Sequence, residues 1–195
     1  GKAVGQHQRM PKPTASSTAN DHDDITEPSG PAALDTIAPA DAASIAALKK
    51  INVAVVPLAT GTHFLELNMV NVPSFGDKDV PLLQQIAPQV MWLVLADTKI
   101  TDAGLEPLKS CSNATRLNLK NTAITNASIP WIAQFSKLEY LNIVGTKIDD
   151  AGLLGLAPSA TLKKIFCWQS GITANGVMAF QKKYPNIDID FGEKK

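Results

Sequence analysis

The chain has little of what catalytic and cofactor sites are built from. Two cysteines and three histidines occur in 195 residues. Cys111 and Cys167 lack CxxC or CxxCH spacing, so no zinc, thiol-redox or haem-attachment ligand set is present, and two thiols are too few for a disulfide scaffold. An excess of one charge is missing as well. The 18 basic residues cancel the 18 acidic ones, which removes the bulk attraction to nucleic acid or to an anionic membrane. Any partner must therefore be recognised locally. No run approaches the roughly 18 consecutive apolar residues of a membrane helix, and no apolar signal segment opens the chain, so direct membrane insertion is not expected. Gly1 stands first rather than Met, as expected of a piece processed or excised from something longer.

Residues 1–39 contain five prolines, many Ser, Thr, Asp and Ala, and no periodic apolar face. With little to bury, such a segment cannot offset its ordering entropy, and it reads as a flexible linker or tail. His22 in "NDHDD" belongs to this solvated acidic stretch rather than to a cation site. Residues 40–63 read as an N-terminal cap. "DAASIAALKK" has an Asp41 N-cap and apolar Ile45 and Leu48 three apart, which predicts a short helix. The runs around Val53 and Val55 and around Phe64 to Met69 are too close for a crossover helix, so they should pair as an antiparallel hairpin, with Pro57 at an edge or strand end.

Residues 64–192 are governed by a 24-residue step. It links Leu93, Leu117, Leu141 and Ile165, then Leu95, Leu119, Ile143 and Cys167, then Ile100, Ile124, Ile148 and Ile172. A degenerate earlier copy holds Phe64, Leu67, Met69 and Val72, with Val80 and Leu83 in its helical half; a last partial copy places Ile189 and Phe191 on a closing strand. Each unit alternates at Leu93 and Leu95, as a strand does, then sets Leu105 and Leu108 three apart behind a Thr101-Asp102 cap, as a helix does. Strand, turn and helix cannot bury their apolar sides alone, but stacked copies share one core. The implied fold is an α/β solenoid, right-handed by the usual crossover rule.

"LVLADTKITDAGLEPL", "LNLKNTAITNASIPWI" and "LNIVGTKIDDAGLLGL" resemble leucine-rich repeats of the LxxLxLxxTxITDxGLxxLxxL type, over residues 64 to 191. With its preceding helix and hairpin, the stretch beginning "FLELNMVNVPSFGDKDV" is similar to the repeat region of bacterial membrane-associated proteins that carry a planctomycete-type cytochrome c domain. That resemblance implies an extracytoplasmic, periplasmic or cell-surface bacterial setting. It also implies a parent protein holding any haem, since this chain has no cofactor site of its own and departs from the pattern by lacking CxxCH and membrane helices.

Residues that look chemical inside the repeats have structural explanations. Thr98, Thr122, Thr146 and Ser170 occupy the slot where familiar repeats carry an inward Asn, and their hydroxyls can satisfy backbone groups that the turn leaves unpaired. Gly104, Ser128, Gly152 and Gly176 read as close packing between helices, with no positive φ demanded because Ser is accepted. Asp149 and Asp150 read as helix caps, Asp188 and Asp190 as the solvent face of a last strand, and both cysteines as small apolar residues. No nucleophile, base and orienter can be assembled, so an enzyme is not expected.

The units differ at three outward strand columns: Glu66, Trp92, Arg116, Tyr140, Lys164 and Asp188; Asn68, Val94, Asn118, Asn142, Phe166 and Asp190; and Val70, Ala96, Lys120, Val144, Trp168 and Gly192. Large rigid rings beside directional polar groups are what recognition surfaces use. The function this points to is non-enzymatic binding of a protein, peptide or glycan on a concave sheet. Trp92, Arg116, Tyr140, Phe166 and Trp168 would anchor the ligand, while Asn118, Asn142 and Lys120 fix its orientation. The alternative is a docking domain that organises a larger extracytoplasmic cytochrome c-type membrane protein, with the chemistry outside this chain.

Overall fold

The computed structural model describes residues 37–192. The tail expected over residues 1–39, with His22, therefore lies outside the described residues except for its last three. Two of these are tied down: Ile37 O lies 2.9 Å from His63 Nδ1, and Ala38 O accepts a 2.9 Å hydrogen bond from Gln89 Nε2.

Helix α1 (Ala42–Lys50) starts where its cap predicts, with the Asp41 carboxylate accepting both the N–H and the hydroxyl of Ser44 at 2.7 Å. It buries Leu48, and Lys49 and Lys50 lie at its negative end. Strands β1 (Ala54–Pro57) and β2 (Leu65–Asn68) pair antiparallel, and Pro57, which cannot donate to a ladder, ends β1. From β2 onward every pairing is parallel: β3 (Val90–Val94), β4 (Arg116–Asn118), β5 (Tyr140–Asn142), β6 (Lys164–Phe166) and β7 (Asp188–Asp190) follow in chain order in one seven-stranded sheet. Partners such as Leu93, Leu117, Leu141, Ile165 and Ile189 stand 24 residues apart.

Between strands the chain returns through helical segments on the other side of the core. A 3-10 segment (Asp77–Gln89) precedes β3; α2 (Asp102–Leu108), a 3-10 turn running into α3 (Ile129–Ile132), α4 (Asp150–Gly155) and α5 (Ala174–Lys183) follow. The first is not an α-helix because Pro81 and Pro88 remove two amide donors within it, yet it still buries Val80, Leu83 and Ile86. Helix positions 105, 129, 153 and 177, and 108, 132, 156 and 180, are all buried apolar residues and meet the strand residues in one core. Ile189 and Phe191 are partly buried against this core.

Two further ladders lock the repeats. Lys99, Ala123, Lys147 and Gly171 donate backbone N–H groups to the carbonyls of Phe75, Ile100, Ile124 and Ile148 at 2.7 to 3.1 Å. Beside them runs a side-chain ladder that the sequence pattern does not announce. Asp77 accepts the Thr101 N–H at 2.9 Å and its hydroxyl at 2.5 Å; Asp102 does the same for Thr125, and Asp150 for Thr173. The first helical residue of one repeat thus holds the capping residue of the next. Where the cap is itself a carboxylate, Asp149, the preceding residue is the amide Asn126, which accepts the Asp149 N–H at 3.1 Å and donates to its Oδ1 at 2.7 Å. A second carboxylate there would meet the first at contact distance.

This ladder corrects the reading of the small-residue column. A Cβ on Gly104, Gly152 or Gly176 would fall on the side-chain oxygen of Asp77, Asn126 or Asp150, so the glycines make room for the preceding repeat's side chain rather than for a neighbouring helix. Ser128 is admitted because its hydroxyl donates to the Asp102 carboxylate instead of clashing with it. Gly152→Ala should cost about 1–3 kcal/mol, the usual range for overpacking. Gly155→Ala, one turn on with nothing within 4 Å of the added methyl, should leave stability unchanged or slightly raised in urea unfolding.

Burial pushes the Asp102 carboxyl up, but hydrogen bonds from Ser128 and Thr125 outweigh it and hold the group below its ordinary value. A folded-state value below the unfolded one contributes stability above about pH 4 that is lost as pH falls through the folded value. Asp102→Ala should therefore lower unfolding free energy by about 1–3 kcal/mol at neutral pH, as loss of charge-assisted hydrogen bonds does. Measured down an acid series, the difference from the unsubstituted chain should shrink below about pH 4.

Candidate recognition face

The outward side chains of β2 to β7 form rows across the sheet, and the register puts Trp92 beside Arg116 and Arg116 beside Tyr140. The Arg116 guanidinium carbon lies 4.1 Å from the Trp92 ring centre and 5.0 Å from that of Tyr140, so the cation is stacked between two π-faces. Its Nε and Nη2 are buried and have no hydrogen-bond partner among the described residues. Further along the row Lys164 is neutralised by Asp188 at 3.1 Å and sits 4.9 Å from the Phe166 ring centre. Phe166 and Trp168 meet edge to face at 6.1 Å. The eight residues named as ligand contacts, Trp92, Arg116, Asn118, Lys120, Tyr140, Asn142, Phe166 and Trp168, are all half-buried on this face.

The asparagines do a job that their column alone does not reveal. Asn118 Oδ1 accepts the Lys120 N–H and Asn142 Oδ1 the Val144 N–H, both at 3.0 Å; Asn68 and Asp190 repeat the pattern with Val70 and Gly192. The carboxamide oxygen closes the end of the strand, and only Nδ2 is left to face a ligand. The signal in the sequence is the Asn or Asp at four of the six positions of this column, Asn68, Asn118, Asn142 and Asp190.

The third column is not wholly outward. Ala96 and Val144 are buried, Val144 completely. The strands end at 118 and 142, and the backbone then passes through left-handed residues at Asp97, Asn121, Gly145 and Gln169, φ between 55° and 66°. Ladder hydrogen bonds set Val144 between Lys120 and Trp168, and a small side chain between two long ones loses its water. Lys120 and Trp168 keep partial exposure.

The hydroxyl ladder is drawn inward to backbone. Thr98, Thr122, Thr146 and Ser170 donate to the carbonyls of Leu95, Leu119, Ile143 and Cys167 at 2.6 to 2.7 Å. Among the described residues no three His, Cys, Asp or Glu side chains gather as metal ligands, and no helix is long and apolar enough to cross a membrane.

Cys111 and Cys167 are buried and unpaired, and burial pushes each thiol up to about 12. At about pH 8 the thiolate fraction of such a group is on the order of one in ten thousand. A disulfide reagent should label neither thiol in the folded chain and both once the chain is unfolded in guanidinium.

No family model and no curated protein sequence matches the chain. Among solved structures it is similar to the leucine-rich-repeat ectodomain of the receptor kinase SOBIR1 from Arabidopsis thaliana, at 15% identity and a TM-score of 0.44, covering 78% of this chain and 93% of that one. At that score the likeness adds nothing to the register and hydrogen bonding described above, on which the account of the fold rests.

Proposed function

We propose that the chain is a non-enzymatic recognition module, a leucine-rich-repeat solenoid of 24-residue right-handed units with a helix-and-hairpin cap, which binds a polypeptide across the open face of its sheet. The observation that supports this most is the Trp92–Arg116–Tyr140 stack. The stack holds a half-buried planar cation at mid-sheet, with the Phe166–Trp168 pair two strands away. Aromatic and arginine anchors in partly dry surroundings are where interfaces concentrate their energy. A sugar would need the flat ring faces that Arg116 already covers on Trp92 and Tyr140, so a polypeptide is the better fit among the ligand classes the face could serve.

Only the resemblance to planctomycete-type proteins speaks for an extracytoplasmic bacterial setting and a haem-bearing parent; the recognition reading depends on neither. Trp92, Tyr140 and Trp168 changed together to Ala should reduce partner capture at least tenfold in quantitative crosslinking from the source organism. Circular dichroism should meanwhile retain the folded spectrum. Undiminished capture by the folded triple variant would overturn the reading.

A further inference from the structure

We infer that the centre of this face is a receptor for a carboxylate, and that the partner presents an Asp or Glu side chain from an acidic segment to Arg116, Asn118 and Asn142. The inference rests on the recognition reading and specifies its chemistry. Three observations converge on it. Among the described residues Arg116 has no carboxylate partner, whereas Lys164, two strands along the row, is paired with Asp188. Its Nε and Nη2 are covered, so the nitrogen left open to an incoming acceptor is Nη1, which has no hydrogen-bond partner among the described residues. Asn118 and Asn142 face each other on β4 and β5; because their oxygens are committed to backbone N–H groups, what each can offer a ligand is a donor. The two amides stand one strand spacing apart and Arg116 two residues along β4 from Asn118, about 5 and 7 Å; with no acceptor among the described residues committed to them, these donors select an acceptor-only group. An ionised carboxylate is that group.

Charge also decides the size of the anion. Glu66 lies toward one end of the row and Asp188 at the other, so a long polyanion crossing all the strands would meet like charge at both ends. Nucleic acid, whose affinity comes from many cation–phosphate contacts, is disfavoured by a face with so few unpaired cations. A short acidic stretch of polypeptide, with one carboxylate on Arg116 and Lys120 within its reach, is not.

The test is selection of random dodecapeptides on the full chain and on Arg116→Gln. Peptides enriched on the unsubstituted chain should share an Asp or Glu, and that enrichment should vanish on the variant. For the best peptide, Glu→Gln or Asp→Asn should weaken binding at least tenfold, Arg116→Gln by a similar factor, and the two together by no more than either alone. Arg116→Lys, which keeps the charge but loses the planar stack, should not restore affinity. The peptide substitution leaves the protein untouched, so a misfolded variant cannot mimic the result. Enriched peptides without acidic residues, additive losses, or no enrichment would overturn the carboxylate assignment. If crosslinking through Trp92, Tyr140 and Trp168 survived in that case, the face would still be a recognition surface, with other chemistry.

Discussion

A side-chain oxygen at the start of one helical segment, held against the capping residue of the next, is the contact on which the rest of this structure depends. Helices of four to seven residues, such as α2, α3 and α4, are too short to be stable by themselves. Their ends leave amide groups that need acceptors, and here each cap residue both serves its own helix and is served by the preceding repeat. Because the oxygen needs space, the position it touches must be Gly, or Ser donating to it. Because two carboxylates cannot share the contact, Asp149 is preceded by Asn126. The helical side of the array is therefore fixed in the same 24-residue step as the sheet, and it is this shared step that sets Trp92, Arg116 and Tyr140 in one row.

The two edges of the described sheet differ. At the N-terminal end β1 runs antiparallel to β2 and stops at Pro57, while α1 covers the first core residues. At the other end β7 is three residues long and carries Asp188 and Asp190 outward. A short, acidic edge is a poor template for another strand. Neither edge strand carries an aromatic residue, so the rings lie on the inner strands of the sheet and just past them.

Most of the fold could be read before the structure, because it is written as periodicity. The core columns at Leu93 and Leu95, the helical stripe at Leu105 and Leu108, the Asp41 cap and the hairpin at Pro57 each follow from a local rule about which residues face inward or stop an element. The site was legible only as a set of columns. Direction along a strand gives which side a residue faces, but not where the tip of a long side chain goes, so nothing in the sequence alone stacks Arg116 between Trp92 and Tyr140 or commits Asn118 Oδ1 to a backbone amide. The buried Val144 was misplaced for a related reason. Alternation continued two residues past the end of β5 at Asn142 puts Val144 outward, but the backbone is already turning there into the left-handed Gly145. The inter-repeat ladder was missed because its partners lie 23 or 24 residues apart; the substitution of Asn126 opposite Asp149 was its one visible trace.

The asparagine columns show how a repeat can carry structure and recognition in the same residue. One end of each carboxamide is spent on holding the strand end, which fixes its rotation and leaves the other end aimed outward as a donor. A freely rotating amide could offer a ligand either a donor or an acceptor; Asn118 and Asn142 offer donors. Arg116 is constrained in a parallel way, since two rings hold its plane and leave little entropy to lose on binding. Groups fixed by the fold before a ligand arrives discriminate by chemistry as well as by shape. On this face all the groups so fixed at the centre are donors, and they therefore favour a ligand that can only accept.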